Sequence, residues 1–474
     1  MSRALVWFRR DLRLDDHPAL HAALQAGHAP VPVYIHAPEE EAPWAPGAAS
    51  KAWLDRSLRA LQADLRALGS DLVIRRGPST ATLLALAAEC GAEAVYWHRL
   101  YEPASIARDK ATKAALKDAG LHAESLNGAL LAEPWTIRTG SGEPYRVFTP
   151  FWKNARQTLE ELHPLPAPAS LPAPPAVASL AVGDLDLRPP AREGGWDLGF
   201  WEHWRPGEAG AVELLEAFLE GALHGYKEQR NFPGRTGTSR LSPHLHHGEI
   251  SPRRIVAAIR AARPRAAIQP DVDHYISELG WREFGHHLLY HFPHTQDENL
   301  NPRFQEFAWA EVDPARLAAW QHGRTGVPIV DAGMRELYAT GWMHNRVRMV
   351  VASFLTKNLR YHWLHGARWF WDTLLDASLP NNTQGWQWSA GTGADAAPYF
   401  RIFSPVAQTE KFDPKGAYVR RWVPELADLP DAALAAPWTQ PELARRWAPD
   451  YPSEPIVDVK QSRAEALAAY SGIT

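Results

Sequence analysis

The sequence has one cysteine, Cys90, and no apolar run long enough to cross a bilayer. A single cysteine excludes a disulfide framework and a cysteine metal site, which fits a reducing compartment. A bilayer span needs ~20 apolar residues. The start MSRALVWFRRDLRL carries Arg9, Arg10, Asp11 and Arg13 where a signal peptide has its apolar segment. We therefore expect a cytoplasmic protein without a membrane segment.

A basic net charge and the common phosphate-binding fingerprints are also missing. The net charge is −4, so any binding of nucleic acid must come from a local basic patch. No GxGxxG follows the first apolar run, and no GxxxxGK[ST] occurs. A dinucleotide held in the usual Rossmann manner is therefore disfavoured.

The first 130 residues alternate between strand and helix signals. The predicted strands are the apolar runs Ala4–Phe8, Val31–Ile35, Leu72–Ile74, Ala94–Trp97 and His122–Leu126. The segments between them show helical spacing over Ser50–Leu68, Ser79–Cys90 and Pro103–Ala119. This alternation predicts an α/β domain over residues 1–130, with a doubly wound, Rossmann-like parallel sheet.

The remaining residues predict a linker and an all-helical domain. Residues 131–196 are interpreted as an interdomain linker because His163–Gly195 is rich in proline and alanine. We expect this segment to lie extended over the surface. From 197 to 474 strand signals are few and helical patterns recur. The predicted fold class is thus α/β plus all-α, in two domains.

The stretch Asp376–Pro405 combines tryptophans with amide side chains. A core strand or helix would show a period of two or 3.6, and this segment shows neither. We therefore predict a loop that offers a surface to a flat, polar, aromatic ligand. A tryptophan-rich core loop is the alternative. The chain as a whole holds 21 tryptophans, which hints at stacking or electron chemistry.

Residues 225–252 carry a cluster suited to a diphosphate. Thr238, Ser239 and Ser242 surround Arg240, just after two glycines. Hydroxyls, backbone N–H groups and an arginine are what a diphosphate needs, although a helix-capping cluster would look the same. The neighbouring histidines lack a carboxylate or cysteine at ligand spacing, so no metal site is predicted: His244, His246 and His247.

Two predicted helices each bring unusual residues to one face. The first, Asp273–His291, places Glu278, Trp281 and Arg282 within one turn. The second places Trp342, Asn345 and Met349 on one face, flanked by Arg346 and Arg348. A buried amide must be paired or cost ~1–3 kcal/mol. Each face fits a ligand cavity or a buried polar contact, and together they favour the cavity.

With these residues assembled, the sequence resembles the photolyase/cryptochrome family, and within it the class I cyclobutane pyrimidine dimer photolyases of bacteria. The resemblance runs from LVWFRRDLRL to the end of the chain. Its other blocks are YKEQRNFP, GTSRLS, ELGWREF, GWMHNRVRM and GWQWSAGTGADAAPYFRIF. It implies an N-terminal α/β antenna domain and a helical FAD-binding domain, which agrees with the two predicted domains.

The resemblance also implies the roles of individual residues. FAD would be held by Tyr226, Thr238, Ser239, Arg240, Leu241, Ser242, Glu278, Arg282, Trp342, Asn345, Arg348, Asp376, Ser378 and Asn382. Arg348 would pair with Asp376. The lesion pocket would be formed by Glu278, Trp281, Asn345, Met349 and Trp388. The DNA contacts would be Arg230, Glu278, Trp281, Arg346, Trp388, Arg401 and Lys411.

The activity that the resemblance implies is light-driven repair of cyclobutane pyrimidine dimers in damaged DNA, by electron transfer from reduced FAD. Trp386, Trp363 and Trp309 match the tryptophan chain that reduces oxidised flavin. Ser378 stands where close relatives carry a second aspartate, which puts one flavin contact in question. We expect a monomer.

A second, antenna chromophore is left open by the sequence. Folate-binding members have an Asn-Glu pair where this chain has Ala104 and Ser105. The candidates are methenyltetrahydrofolate, 8-hydroxy-5-deazaflavin or no antenna.

The alternatives for function are a cryptochrome, which senses blue light without repair, and a flavin-free protein whose tryptophans only pack. The (6-4) repair branch resembles this chain less, because it has histidines at the positions of Asn345 and Met349.

Overall fold

A computed structural model describes residues 2–188, 195–262, 266–395 and 400–473 of the chain. Its N-terminal part contains one parallel five-stranded sheet in the order β3-β2-β1-β4-β5. The strands are β1 (Arg3–Phe8), β2 (Ala29–His36), β3 (Val73–Arg76), β4 (Ala92–His98) and β5 (His122–Leu126). The predicted α/β domain with a doubly wound parallel sheet is confirmed.

Helices cover both faces of this sheet. They are α1 (Pro18–Gln25), α2 (Ala48–Ala67), α3 (Ser79–Cys90) and α4 (Pro103–Asp118). One apolar cluster joins α1 and α2 to the sheet, and another joins α3 and α4 to its opposite face. The strand order reverses at β1, which pairs with β2 on one side and β4 on the other. In such sheets the carboxyl ends of the two strands at the reversal border a crevice.

The predicted linker contains a helix that the sequence analysis did not anticipate. Helix α5 (Phe148–Ala155) and a following 3₁₀ segment, Arg156–Glu161, precede the extended part. Residues 162–181 have no helix or strand, as expected. Residues 189–194, which belong to the same predicted linker, lie outside the described residues. The exact boundaries between linker and domains stay a prediction.

The rest of the chain is helical, as predicted. Its helices are α6 (Glu208–Ala217), α7 (Tyr226–Gln229), α8 (Ser242–His247), α9 (Pro252–Ala261), α10 (Gln269–His291), α11 (Pro314–Gln321), α12 (Pro328–Thr340), α13 (Asn345–Ser353), α14 (Trp363–Thr373), α15 (Leu379–Ala390), α16 (Pro405–Phe412), α17 (Ala417–Trp422), α18 (Asp431–Leu434), α19 (Pro441–Trp447) and α20 (Val459–Ser471). The largest apolar cluster draws on α11 to α15 and α17. Among the described helices, none combines the length and apolar character needed to span a membrane.

The prediction of a loop over Asp376–Pro405 is wrong for its first half, which forms α15. Pro380 stands in the first turn of this helix, where a missing N–H costs nothing, and Gly391 ends it with φ +86°. The buried side of the helix includes Asn382, Thr383 and Gln387 beside its apolar residues. Because polar residues are buried here, the hydrophobic period that would have revealed the helix is absent. Residues 396–399 of the same stretch lie outside the described residues.

Candidate functional site

A cavity of about 620 Å³ lies among the helices of the C-terminal part. Its walls come from the segment around α7 and α8, from α10, from α13 and from α15. Loops after β1 and β4 close one end with Arg10, Tyr101 and Glu102. The cavity therefore spans the helical domain and reaches the carboxyl edge of the sheet.

Most of the predicted site residues line this cavity. They are Tyr226, Arg230, Ser239, Ser242, Glu278, Trp281, Arg282, Asn345, Arg346, Arg348, Met349, Asp376, Ser378, Asn382, Trp386 and Trp388. The structure brings these residues together from segments far apart in the sequence. Outside the lining, within the described residues, are Thr238, Arg240, Leu241, Trp342, Trp363, Trp309, Arg401 and Lys411.

The Arg240 side chain packs against two tryptophans. Its guanidinium packs between the indoles of Trp204 and Trp342, at 4.3 and 5.0 Å from the ring centroids. Burial lowers the pKa of this arginine, and the two rings supply a cation–π environment. The guanidinium thus lies outside the cavity lining, and a role of Arg240 in holding a diphosphate stays a prediction. The same contact explains why Trp342 lies behind the lining, where its Nε1 donates to the Ser242 hydroxyl at 3.2 Å.

The predicted ion pair between Arg348 and Asp376 is confirmed. Arg348 donates from Nη1 and Nη2 to the two carboxylate oxygens, at 3.1 and 2.8 Å. Its Nε donates to the Met343 carbonyl at 2.8 Å. The Asp376 side chain is nearly buried, and a buried pair of this geometry holds α13 against the segment that leads into α15.

Asn382 and Ser378 present polar atoms to the cavity from α15. The Asn382 amide nitrogen donates to the Ala367 carbonyl at 2.9 Å. Because a carbonyl accepts only from the nitrogen, this contact fixes the amide and leaves Oδ1 as an acceptor. Ser378 precedes α15, and its side chain makes no capping bond to the helix. Both residues therefore keep a hydrogen-bonding atom for another molecule.

The cavity mouth is crossed by an ion pair between Arg230 and Glu278. Arg230 bonds both carboxylate oxygens of Glu278, the second at 2.8 Å. His274 lies 2.7 Å from the same guanidinium, and burial followed by Arg230 lowers its pKa. The two residues expected to contact a phosphate and a base edge are thus paired with each other in this structure.

The other residues expected to contact phosphate are Arg346, Lys411 and Arg401. Arg346 donates to the Asn231 side chain at 2.5 Å and lies 4.4 Å from the ring centroid of Phe412. Lys411 lies over the same ring at 5.3 Å. Arg401 is exposed. Arg346 and Lys411 thus share one aromatic contact, and a basic patch for DNA around the cavity stays a prediction.

The three tryptophans proposed for electron transfer come from α15 (Trp386), the first residue of α14 (Trp363) and the segment before α11 (Trp309). Trp386 lies over Gly366, where an added Cβ would come within 2.0 Å of its ring. Trp363, one turn earlier on α14, is fully buried and donates to Asn299 at 2.9 Å. The His362 ring lies between Trp363 and the partly exposed Trp309, with centroids at 5.5 and 5.1 Å. Sequence analysis missed Gly366 and His362, which have no motif of their own.

Arg10, Glu102 and His286 also line the cavity, although the sequence analysis did not predict it. Arg10 pairs with Glu41 at 2.6 Å and also with Glu102. His286 lines the same end of the cavity, and burial followed by Arg282 lowers its pKa to about 3. The charged loop after the first strand was visible in the sequence. Its place beside the cavity follows only from the packing of the two parts.

A buried group of Asp11, His17 and His98 has the residue types and spacing of a metal site. The other ring nitrogens, Nδ1 of His17 and Nε2 of His98, accept backbone N–H bonds from Leu20 and Ala19. In neutral imidazoles the nitrogens facing Asp11 must therefore carry the protons. Burial would raise the pKa of Asp11, but hydrogen bonds from both histidines hold it well below its usual value. The group is a carboxylate with two donors and does not suit a metal ion.

Comparison with known proteins identifies relatives of the whole chain. Residues 4–170 match the family model for DNA photolyase, and residues 275–472 match that for the FAD-binding domain of DNA photolyase. The deoxyribodipyrimidine photo-lyase of Agrobacterium fabrum is 45% identical, over 99% of this chain and 98% of that protein. Cryptochrome-2 of Arabidopsis thaliana is 38% identical, over 98% of this chain and 78% of its own length. A crystal structure described as a bacterial class III photolyase from Agrobacterium tumefaciens has a TM-score of 0.94 at 45% identity, covering 100% of this chain and 98% of the other.

Proposed function

The chain belongs to the photolyase/cryptochrome family, and from this premise we propose that it is a light-driven lyase that splits cyclobutane pyrimidine dimers in DNA with FAD as its cofactor. The observation that carries the proposal is the cavity, which Trp281 and Trp388 line together with the residues expected to hold the flavin. Full-length similarity to a deoxyribodipyrimidine photo-lyase supports the same activity.

The residues present fit a flavin dinucleotide. The hydroxyl-bearing residues Ser239 and Ser242 line one wall of the cavity, and the Arg348–Asp376 pair lines another. Asn382 offers an oriented acceptor, which suits a polar ring edge. When bound and reduced, FAD supplies the photoexcited electron that opens the cyclobutane ring and then receives it back. The protein contributes binding, orientation and charge.

The dimer would enter from the mouth beside the flavin-holding residues. Photolyases are among the enzymes that take their target out of the base stack. We assign Trp281 and Trp388 to its faces, Glu278 to a base edge, and Asn345 and Met349 to the pocket floor. These groups bind the flipped bases and exclude water around them.

Docking of DNA would exchange the partner of Arg230. In the free protein Arg230 occupies both oxygens of Glu278. A backbone phosphate is a bidentate acceptor of the same kind, so its arrival would draw Arg230 away and free Glu278 for the base. Arg346, Lys411 and Arg401 would bind neighbouring phosphates, which positions the strand without reading its sequence.

Electrons for flavin reduction would reach the cavity through Trp386, Trp363 and Trp309. Trp386 lines the cavity and is 2% exposed, Trp363 is buried, and Trp309 is partly exposed. This order runs from cavity to surface, as an electron route requires. His362, between the outer two rings, is part of its packing.

Within the family we propose that the chain groups with the class III photolyases. The sequence resemblance suggested class I, but the 45% identical solved structure is described as class III. The antenna chromophore, the monomeric state and the cytoplasmic location stay predictions of the sequence. The ion pairs of Arg10 with Glu41 and Glu102 cross the crevice at the ends of β1 and β4. Because these pairs occupy the crevice, we favour the absence of an antenna chromophore there.

The proposal is tested by a light-dependent repair assay. Purified protein with its flavin reduced is mixed with an oligonucleotide carrying one thymine dimer and is illuminated with blue light or kept dark. We expect dimer loss in the light only, and an absorption spectrum of bound flavin. Flavin absorbance with intact dimers after illumination would instead support a cryptochrome. Protein that binds no flavin would contradict both functions.

A further inference from the structure

One face of Trp281 is covered by a ring from α5. The Phe148 ring lies parallel to Trp281, with centroids 3.7 Å apart and 9° between the planes. Trp152, one turn later on α5, lies parallel to Phe148 at 6.4 Å and 10°. The three rings thus form one stack. Because an indole has two faces, Trp281 has only its other face to offer to the cavity.

The surroundings hold this stack in one orientation. Phe284 meets Phe148 and Trp281 edge-on, at 66° and 72° between planes. Gly280 allows α5 to approach, since an added Cβ would lie 2.6 Å from ring atoms of Trp152. Phe148 itself is 9% exposed. A ring so enclosed has little freedom to rotate away from Trp281.

The same residue also contacts the segment that follows Trp388. The Phe148 backbone N–H donates to the carboxylate of Asp395, a hydrogen bond that opposes the rise in the pKa of Asp395 caused by burial. Asp395 lies after the end of α15, the helix that carries Trp388. The neighbouring Ala394 packs in the apolar cluster of Phe148 and lines the cavity. The start of α5 therefore touches both segments that carry the cavity tryptophans.

We propose that Phe148 is a positioning residue for dimer recognition, acting through Trp281. Its ring fixes the plane of the Trp281 indole before DNA binds. Binding of a flipped dimer then carries no entropy cost for ordering this side chain. This inference rests on the proposed function and names a residue that supports its substrate site. An aromatic stack of this kind corresponds to roughly a three- to tenfold effect on an equilibrium.

The test measures the affinity of flavin-loaded protein for two oligonucleotides that differ only in one thymine dimer. We expect Phe148→Leu, which keeps apolar volume but has no ring, to weaken binding of the dimer by roughly three- to tenfold. Binding of undamaged DNA should not change. Phe148→Tyr keeps the ring and should restore the affinity of the wild type.

A control on the same helix separates positioning from packing. Phe151 contacts Phe284 and His287 in the same apolar cluster. We expect Phe151→Leu to retain the preference for the dimer. An equal loss in Phe151→Leu and Phe148→Leu would overturn the proposal, because the effect would then come from α5 as a whole.

A double-variant cycle tests whether Phe148 acts through Trp281. In a Trp281→Ala background, Phe148→Leu should cause no further loss of dimer affinity. A further loss of the same size, or a Phe148→Leu single variant with unchanged preference, would overturn the proposal. If the Phe148→Leu variant does not retain flavin, the Phe148→Met variant is measured in its place. Loss of flavin from both variants would overturn the proposal, because Phe148 would then be needed for folding. Failure of the wild type to prefer the dimer would reject the proposed function itself.

Discussion

Two regions of the molecule are dense in charge, but only one is arranged to receive a ligand. In the crevice at the ends of β1 and β4, which borders one end of the cavity, arginines and carboxylates pair with one another. Arg9 bonds both oxygens of Asp109 at 2.8 Å, and Arg10 bonds Glu41 and Glu102. A sequence-based search for charged loops would select this region first.

The cavity of the helical part leaves polar atoms facing open space. Asn345 is exposed at its wall, and Asn382 keeps an acceptor after its amide nitrogen is used. Buried polar groups in folded proteins are normally paired, so the unused acceptor of the buried Asn382 is suited to a ligand in the cavity. The comparison teaches that charge density alone does not locate a site, whereas incomplete pairing around a cavity does.

The largest difference between the cavity and the crevice is expected when one buried ion pair is broken in each. Asp376→Ala leaves Arg348 without its carboxylate in the cavity wall, and removal of one partner of a buried pair costs about 3 kcal/mol. We expect the affinity for FAD to fall by roughly a hundredfold, measured by titrating the apoprotein and following flavin fluorescence.

The matched control is Asp109→Ala in the crevice, where Arg9 makes the same two-bond contact with a side chain that is 12% exposed. We expect this variant to unfold at a lower temperature yet bind FAD as the wild type does. A similar loss of FAD affinity in both variants would show that the two regions do not differ in the way described.

A smaller effect is expected on the rate of flavin photoreduction when a buried tryptophan is replaced in the cavity or in the α/β part. Trp386→Phe replaces the cavity-lining indole with a ring that is harder to oxidise, so photoreduction of the flavin should slow by at least roughly tenfold. Dimer repair by protein reduced beforehand with dithionite should be retained. The measurement is the rate at which oxidised flavin absorbance disappears under blue light.

Trp7→Phe provides the control from the α/β part, since Trp7 is also buried, at 1% exposed, but lies in β1. Its photoreduction rate should equal that of the wild type. Normal photoreduction in Trp386→Phe would refute the assigned route, and slow photoreduction in Trp7→Phe would extend it into the other region.

The smallest effect is a pH dependence of stability that arises in the crevice. Burial, followed by repulsion from His17, lowers the pKa of His98 to about 3. Below the ordinary histidine value of 6.5, the unfolded chain gains a proton that the folded chain does not. The free energy of unfolding therefore falls as the pH drops from 6.5 towards 3, by ~1.4 kcal/mol per pH unit.

His98→Gln should remove this contribution. At pH 6.0 His98 lowers the free energy of unfolding by about 0.8 kcal/mol. The fall in the free energy of unfolding between pH 7.5 and pH 6.0 should therefore be smaller by that amount in the variant. Urea unfolding at the two pH values measures it. His122→Gln is the control, since its side chain is 58% exposed, and an equal change there would remove His98 as the source.

Much of the fold was predictable because its signals are local. The strands followed from short apolar runs, and α10 and α13 from helical spacing. The Arg348–Asp376 pair was predicted from the resemblance of its motifs to a known family and is present. Helix α15 was missed because its buried side is largely polar. Helix α5 was missed because the linker prediction rested on the proline- and alanine-rich segment His163–Gly195, which follows this helix.

The sequence by itself determined most of the element types and the absence of disulfides, because these depend on composition and on spacing within one segment. The residues assigned to flavin, lesion and phosphate came from the resemblance of its motifs to a known family. The tertiary structure alone decided that Arg240 turns to Trp204, that Arg230 is held by Glu278, and that Phe148 stacks on Trp281. Each of these contacts joins residues distant in the chain. Their partners are chosen by packing, so no local pattern encodes which polar groups are satisfied and which stay available to a ligand.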